Sequence, residues 1–181
     1  MLNNCYRDFM GLRPGRTIRK PERPYTRVSK RVPRKSYVVG VPFPKIHQFE
    51  MGNRDGDFNT VLYLLAKRSV QIRHNALEAA RIVAHKFLQT KLGTNNYFLK
   101  ILVYPHQVIR EKPIATGAGA DRYSAGMAHA FGKPTGTAVI TKPNQKLVML
   151  KINKENLELG KTALKKFGLK IPTPVKIMIE E

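Results

Sequence analysis

Apolar and polar residues follow the spacing of strands and helices from residue 46 to the end of the chain. The β-rich runs 45–50 and 60–70 are joined by the turn-forming residues 52–57, which predicts two neighbouring strands. Residues 97–104, YFLKILVY, are apolar on nearly both faces, as in a strand that is covered on both sides. We therefore expect this third strand to lie inside the sheet.

Three further runs of strand type follow. Residues 137–141 and 146–152 flank Pro143 and Asn144, a pair typical of a turn, and so predict a hairpin. Residues 175–179 alternate between apolar and polar positions and predict a last strand. Together, the runs favour a mixed or antiparallel sheet.

A first helix is predicted from the apolar residues between 76 and 88, which share one helical face. Asn75 is its expected N-cap, Glu78 completes an Asn-x-x-Glu capping box, and Gly93 is the expected terminator. The opposite face carries Arg81, with Arg73 just before the helix. Either arginine suits a solvated face or an RNA contact.

A second helix is predicted over 154–167, with Asn153 as N-cap and Gly168 as terminator. The side chains expected on its buried face are Leu157, Leu164 and Phe167. Two main helices among several strands predict a single α+β domain over residues 46–181.

Residues 1–45 have a different composition. They contain 12 Lys or Arg residues against Asp8 and Glu22, and six of the 12 prolines. Such a segment cannot bury enough apolar surface to offset its ordering entropy, so we expect an extended basic N-terminal arm. Tyr25 and Tyr37 lie among the cations and can stack on unpaired bases, which favours threading between RNA helices. A disordered linker is the alternative.

The charge of the whole chain identifies a class of partner. Lys and Arg number 33 against 12 Asp and Glu, a formal charge of +21, and a surplus of this size favours a polyanion, nucleic acid above all. No apolar run approaches the roughly 18 residues of a membrane span. No secretory signal is recognised, and Cys5 is the one cysteine, so we expect a cytoplasmic protein that binds no membrane.

The segment of about 105–136 is too long and too rich in glycine for an ordinary connection. Connections in compact domains are usually about 4 to 6 residues long, whereas this one contains five glycines. We expect it to be a long internal loop that protrudes from the sheet. Glycine permits close approach of the backbone to RNA, while spaced cations contact phosphates.

Enzyme motifs fail in this loop. Gly117 and Gly119 begin a G-x-G-x-x-G pattern that ends in Arg122, and Lys133 is followed by proline, where a P-loop has Ser or Thr. The five histidines have no metal-ligand spacing. We therefore expect no catalytic residue, metal or cofactor. A phosphate-binding enzyme and a free-standing RNA-binding regulator remain as alternatives.

Several motifs in the loop and around it resemble one protein family. The loop motifs are Gly119-Ala120-Asp121-Arg122, Gly126-Met127 and Ala130-Phe131-Gly132-Lys133-Pro134-x-Gly136-Thr137. Those outside it include Gly40-Val41-Pro42-x-Pro44-Lys45-Ile46, Ala76-Leu77-Glu78-Ala79-Ala80-Arg81 and Pro105-His106-x-Val108-Ile109-Arg110. They resemble the large-subunit ribosomal proteins called ten-e in archaea and eukaryotes and sixteen in bacteria. The resemblance covers most of the chain beyond Leu12.

This resemblance implies an α/β-hammerhead fold, bound to 23S-type rRNA near the A-site and the 5S rRNA region. The loop would point toward the peptidyl transferase centre, with residues 110–121 near the acceptor end of P-site tRNA. Further implied partners are A-site tRNA and neighbouring ribosomal proteins, without a homo-oligomer. The protein would be ribosome-bound in the cytoplasm and would shape the site without catalysing the reaction.

The candidate contacts divide into two groups. The predicted rRNA contacts are Arg13, Arg16, Arg19, Arg23, Tyr25, Arg27, Arg34, Lys35, Lys45, Arg73, Arg81 and Lys133. The predicted contacts of the loop with tRNA and the peptidyl transferase centre are Arg110, Glu111, Lys112, Gly117, Gly119, Asp121 and Arg122.

Overall fold

A computed structural model describes residues 12–21, 32 and 38–180 of the chain. Its strands are β1 (Glu50–Gly52), β2 (Thr60–Ala66), β3 (Gln71–Arg73), β4 (Tyr97–Ile101), β5 (Gln107–Glu111), β6 (Lys133–Ile140), β7 (Lys146–Ile152) and β8 (Val175–Glu180). Its α-helices are α1 (His74–Leu92) and α2 (Leu157–Gly168). The α+β class with two main helices is confirmed.

The strands form two antiparallel sheets. The larger sheet has the order β1-β4-β7-β2-β8, and the smaller one has the order β3-β6-β5. β4 lies between β1 and β7, so the prediction that residues 97–104 run inside a sheet is confirmed for Tyr97–Ile101. Four of the five residues of β4 are buried, as its apolar pattern indicates.

The first two predicted strands are not neighbours. The run 45–50 becomes a strand only from Glu50, and β1 pairs with β4, while β2 pairs with β7 and β8. Gly52 makes the pairing of β1 possible, because an added Cβ there would collide with the backbone carbonyl of Tyr97. β1 and β2 are close in sequence, but β4 and β7 lie between them in the sheet, so the predicted pairing is wrong.

The predicted hairpin of residues 137–141 and 146–152 is also wrong. β6 belongs to the small sheet and β7 to the large one, although the chain does turn between them at Asn144, whose φ is 60°. The turn is held against β2, where the N–H of Asn144 donates to the carbonyl oxygen of Ala66 at 2.7 Å. The connection therefore passes from one sheet to the other.

β5 and the first part of β6 lie within the segment predicted as a long protruding loop at about 105–136. Val108 and Ile109 pair with Thr137 and Gly136 across the two strands. The prediction is therefore wrong at the two ends of the segment, and residues 112–132 form the loop between β5 and β6. The division of the chain into an arm of residues 1–45 and a domain of residues 46–181 stays a prediction.

The predicted caps of α1 are only half correct. Gly93 follows its last turn with a φ of 77°, as predicted, but Asn75 is the second residue of the helix, and no side chain caps the N-terminus. Because β3 leads directly into α1, Arg73 occupies the N-cap position in an extended conformation. Glu78 makes no capping box and pairs with Arg81 instead.

α2 begins three residues later than predicted. A short 3-10 helix, Lys154–Asn156, precedes it, and Asn153 makes no side-chain capping bond. Gly168 is the last residue of the helix. Leu164 and Phe167 are buried as expected, whereas Leu157 is only half-buried.

The core lies between the helices and the large sheet, since α2 packs on β2 and β7, and α1 packs on α2. Gly160 allows this approach, because an added Cβ would meet the buried side chains of Ile152 and Leu62. The largest fully buried side chains are Tyr97, Phe167, Ile46, Leu62, Leu64, Ile72, Leu77, Leu88, Leu99, Leu147, Leu150 and Ile152. Ile72 and Val139 join the small sheet to this core, and the loop 112–132 extends beyond it.

Candidate RNA interface

Residues 12–21 lie along the free edge of β3. The N–H of Gln71 donates to the carbonyl oxygen of Arg19 at 2.8 Å, and Nη1 of Arg73 donates to the carbonyl oxygen of Arg13 at 2.9 Å. The segment turns through a short 3-10 helix, Gly15–Thr17, which carries Arg16. The side chains of Arg13, Arg16 and Arg19 are exposed. These two contacts hold the backbone that carries the three arginines beside β3 and Arg73.

His74 joins this region to Lys45. Its Nδ1 accepts a 3.2 Å hydrogen bond from the backbone N–H of Lys45 and lies 3.3 Å from Oγ1 of Thr137. Burial lowers the pKa of His74, and the charges of Lys45 and Arg73 lower it further. The lowered pKa favours the neutral imidazole, which is the form that can accept the Lys45 bond at Nδ1. The exposed ammonium of Lys45 remains available to an anion.

These five cations are called the basic edge: Arg13, Arg16, Arg19, Lys45 and Arg73. They surround the junction of β3 and α1, where the chain passes from the small sheet to the first helix. Cations held at fixed spacing can match the phosphates of a rigid polyanion at a lower entropic cost than cations on a mobile chain. The geometry therefore suits contact with a nucleic acid backbone.

Arg110, in β5 just before the loop 112–132, contacts the residues at the far end of that loop. Its Nη1 donates a 3.1 Å hydrogen bond to the carbonyl oxygen of Gly132, and its Cζ lies 4.1 Å from the centroid of the Phe131 ring. Gly132 has a φ of 67°, and a Cβ there would lie 2.9 Å from backbone atoms of Glu111. Glycine at 132 thus permits the close approach that closes the loop.

The loop itself contains two short 3-10 helices, Ala120–Arg122 and Gly126–His129. The hydroxyl of Ser124 lies between them and donates to the carbonyl oxygen of Ala120 at 3.3 Å, while it accepts a bond from the N–H of Ala115. Gly117 and Gly119 have positive φ values, and no atom lies within 4 Å of an added Cβ at either position. The glycines therefore serve the backbone turns.

The loop surface contains apolar side chains that sequence reasoning did not select. Tyr123 is 85% exposed, and Met127 and Phe131 are also largely exposed. They lie near the exposed side chains of Asp121 and Arg122 along the chain. Rings on a cationic, glycine-rich loop are a signal of RNA contact that the sequence contained. Their exposure, however, becomes apparent only in the folded structure.

The other predicted residues have different surroundings. Lys133 is exposed and stands opposite Glu111 in the β5–β6 register, while Lys112 and Glu111 are half-buried. The predicted contacts that lie outside the described residues are Arg23, Tyr25, Arg27, Arg34 and Lys35. Five of the predicted rRNA contacts form the basic edge beside β3, whereas Lys133 lies opposite Glu111 at the base of the loop 112–132.

Arg81 has internal partners for all three of its guanidinium nitrogens. Nη2 and Nε bind the two carboxylate oxygens of Glu78 at 2.6 and 2.9 Å, and Nη1 donates to Oε1 of Gln48 at 3.1 Å. The bond with Glu78 raises the pKa of Arg81 above its ordinary value. This arginine joins α1 to the segment before β1, and its role in RNA binding stays a prediction.

Within residues 12–21, 32 and 38–180, no three His, Cys, Asp or Glu side chains cluster in a way that could hold a metal ion. None of the helices in those ranges is both long and apolar enough to cross a membrane.

The fold and the surface together define a basic RNA-binding protein. Comparison with known proteins gives the family: residues 21–178 match the model described as ribosomal protein L16p/L10e. A protein named large ribosomal subunit protein uL16 from Archaeoglobus fulgidus is 45% identical over 172 residues, 95% of each chain. One of the same name from Picrophilus torridus is 47% identical over 163 residues, 90% of this chain and 93% of its own.

The chain belongs to the ribosomal protein L16p/L10e family. It is therefore a structural constituent of the large ribosomal subunit, ribosome-bound in the cytoplasm, and not an enzyme. Its partners are large-subunit rRNA and other ribosomal proteins. Nothing in the comparisons favours a free-standing regulator.

Proposed function

We propose that the basic edge binds large-subunit rRNA near the A-site, while the loop 112–132 is directed toward the peptidyl transferase centre. In this arrangement the loop contacts the acceptor end of P-site tRNA and helps to shape the region that receives A-site tRNA. The 5S rRNA region is a further neighbour. The family resemblance supports the placement, and the surfaces of the chain support the division of roles.

The observation that carries the proposal is the closure of the loop by Arg110. The Arg110 guanidinium contacts Phe131 and Gly132, so both ends of the loop are held at the rim of the small sheet. A loop held at its base can extend Arg122 and Tyr123 away from the core. Arg122 can bind a phosphate, and the exposed Tyr123 ring can stack on an unpaired base.

No side chain in this proposal takes part in bond formation. Gly117 and Gly119 let the backbone approach crowded RNA, while Arg122 and Lys133 supply positive charge. The role of the loop is to position RNA through contact and charge.

Substitutions at the two surfaces test the division of roles. Arg122→Ala should leave the amount of protein in purified large subunits unchanged and slow translation several-fold, whereas Arg122→Lys should retain more activity. Lys142→Ala is the matched control, because Lys142 is exposed and lies beyond the other end of β6. Normal translation and tRNA binding by Arg122→Ala subunits would contradict the proposed role of the loop.

Substitutions at the basic edge should weaken incorporation into the large subunit, in contrast to substitutions in the loop. A combined Arg13→Ala, Arg16→Ala and Arg19→Ala variant should be lost from large subunits during a moderate-salt wash that wild type survives. The slope of log affinity against log salt for rRNA should fall by roughly 0.7 to 0.9 for each phosphate contact removed. Retention of the triple variant through the same wash would contradict the proposed role of the basic edge.

A further inference from the structure

An open cleft lies between the segment before β1 and the connection from β4 to β5. Its volume is about 350 Å³, at the small end of the roughly 300 to 1,000 Å³ typical of ligand sites. It is lined by Phe43 and Pro44 from the first segment, by Tyr104 and His106 from the connection, and by Val108 and Thr137 of the small sheet. None of the described residues that line it is acidic. The cleft lies outside the loop 112–132.

Phe43 is the most exposed large apolar side chain among the described residues, at 90%. It lies between Pro42 and Pro44, which restrict the backbone on both sides. Just beyond, the N–H of Lys45 binds His74, and Ile46 is buried in the core. The ring is thus presented to solvent by a segment with fixed contacts, although its burial would release about 1.5 to 3 kcal/mol.

Tyr104 and His106, which line the cleft from the connection between β4 and β5, belong to a packed set of rings. Tyr104 stacks on Phe49 with the ring centroids 5.4 Å apart, and His106 lies against Tyr104 with a centroid distance of 4.6 Å. The N–H of His106 donates to the carbonyl oxygen of Tyr104 at 2.9 Å, which closes a tight turn around Pro105. These contacts give Tyr104 and His106 a defined orientation before any ligand binds.

We propose that this cleft binds one unpaired nucleobase of the large-subunit rRNA, which stacks on the rings of Phe43 and of the Tyr104–His106 pair. The inference rests on the rRNA binding proposed above and adds a site that reads an unstacked base and not the phosphate backbone. Aromatic side chains that stack splayed-out bases are a common mode of single-stranded RNA recognition.

Charge favours RNA over a protein partner. Lys45 follows Pro44 directly and is exposed, and Arg73 lies next to His74, which binds Lys45. An apolar side chain of a neighbouring protein would fill the cleft but would not use these cations. A nucleotide uses both features, since its base can occupy the cleft while its phosphate meets Lys45. A base inside a duplex has no free face to stack on the rings.

The test uses large subunits assembled with full-length variants. Phe43→Ala removes the ring, and Phe43→Tyr restores it. Leu169→Ala is the matched control, because Leu169 is 82% exposed and follows α2, away from the cleft. Base-specific chemical probing of the rRNA and ultraviolet crosslinking of the protein to rRNA are then compared among the four proteins.

We expect one unpaired nucleotide to be protected from the probe by wild type, Phe43→Tyr and Leu169→Ala, and to become reactive with Phe43→Ala. Loss of one stacked base should weaken the local contact roughly 5- to 150-fold. Ultraviolet light should join the same nucleotide to a peptide that contains Phe43 or Tyr104, and Phe43→Ala should reduce this crosslink. Equal occupancy of all four proteins in the subunits would show that the variants fold.

Two results would overturn the inference. Unchanged rRNA reactivity in subunits that contain normal amounts of Phe43→Ala would exclude a stacked base at this ring. If a photoreactive residue at position 43 crosslinks to a protein and not to RNA, the cleft is occupied by a side chain of a neighbouring protein. Absence of wild type from large subunits would instead contradict the proposed function, so the two failures can be distinguished.

Discussion

The guanidinium of Arg110 lies 4.1 Å from the ring centroid of Phe131, and its Nη1 also donates to the neighbouring carbonyl oxygen of Gly132. Arg110 belongs to β5, whereas Phe131 and Gly132 end the loop that leads into β6. One side chain therefore joins the two ends of the loop. Because Arg110 is half-buried, water screens this contact less than it would at a fully exposed site.

Arg110→Ala should lower the free energy of unfolding by about 1 to 3 kcal/mol, since it removes a charged hydrogen-bond donor and a cation–π contact. It should also speed proteolysis within residues 112–132. Arg122→Ala is the control, because Arg122 is exposed on the same loop and should change stability by less than about 0.5 kcal/mol. Urea unfolding and limited proteolysis measure both effects, and equal behaviour of the two variants would contradict the role of Arg110.

The ion pair of Arg81 and Glu78 should stabilise α1 against the segment before β1. The side chains of Arg81 and Glu78 are only 12% and 21% exposed. Arg81→Met should therefore lower the free energy of unfolding by about 1 to 3 kcal/mol, because charged hydrogen bonds are lost. A double-mutant cycle with Glu78→Gln should give a coupling energy of at least about 0.5 kcal/mol.

The pair of Lys161 and Glu158 is a matched control for that cycle. It has the same spacing of three residues on α2, but the side chain of Glu158 is 83% exposed. Exposed pairs are screened by water and salt, so the same cycle at this pair should give no measurable coupling. Equal coupling energies at both pairs would show that burial does not strengthen the Arg81 contact.

Stability should rise with pH across the range in which histidine titrates. Burial lowers the pKa of His74 and of His85 below the ordinary value of 6.5, and nearby cations add to the effect. In that range the unfolded chain therefore binds more protons than the folded chain. Above pH 6.5 both histidines are neutral in the folded and the unfolded chain, and their contribution to the free energy of unfolding is fully present. That contribution is lost as the pH falls through their lowered pKa values.

Urea unfolding between about pH 7.5 and about pH 5 measures this slope. The lower limit keeps Glu50 and Glu158 ionised, because ion pairing with lysine lowers the pKa of each below 4.5. The double variant His74→Gln and His85→Gln should have a flatter dependence than wild type. An identical slope would mean that neither histidine is linked to folding in this range.

Gly160→Ala should destabilise the protein although alanine favours helices. The gain in helix propensity is about 1 kcal/mol, but a Cβ would lie 2.8 Å from Cδ1 of Leu62 and would collide with Ile152. Both side chains are fully buried, so a shift of either methyl group would disturb the close packing around it. Overpacking lowers the free energy of unfolding by about 1 to 3 kcal/mol. After the gain in helix propensity is subtracted, we expect the free energy of unfolding to fall by up to about 2 kcal/mol.

Thr162→Ala separates packing from propensity in α2. Thr162 is exposed on the same helix, so its replacement should stabilise the protein by up to about 0.7 kcal/mol. Thermal and urea unfolding measure both variants. Stabilisation by Gly160→Ala as well would show that the contact between α2 and the sheet can relax.

The apolar pattern located most elements but not their partners. It predicted α1, α2 and the buried β4, because the spacing of apolar residues within one element determines which face is buried. It assigned the wrong neighbours to β1 and β6. Period-2 alternation is the same whichever strand lies alongside, and pairing depends on contacts between distant residues.

The sequence by itself determined the positive charge, the glycine-rich loop and the motifs of the ribosomal family, since these depend only on residue types and their order. Tertiary structure decided how individual side chains are used. It gave Arg81 and Arg110 internal partners, and it brought Phe43 and Tyr104 to one cleft across some sixty residues of chain. Such contacts follow from the packing of distant segments around a common core, which no local pattern records.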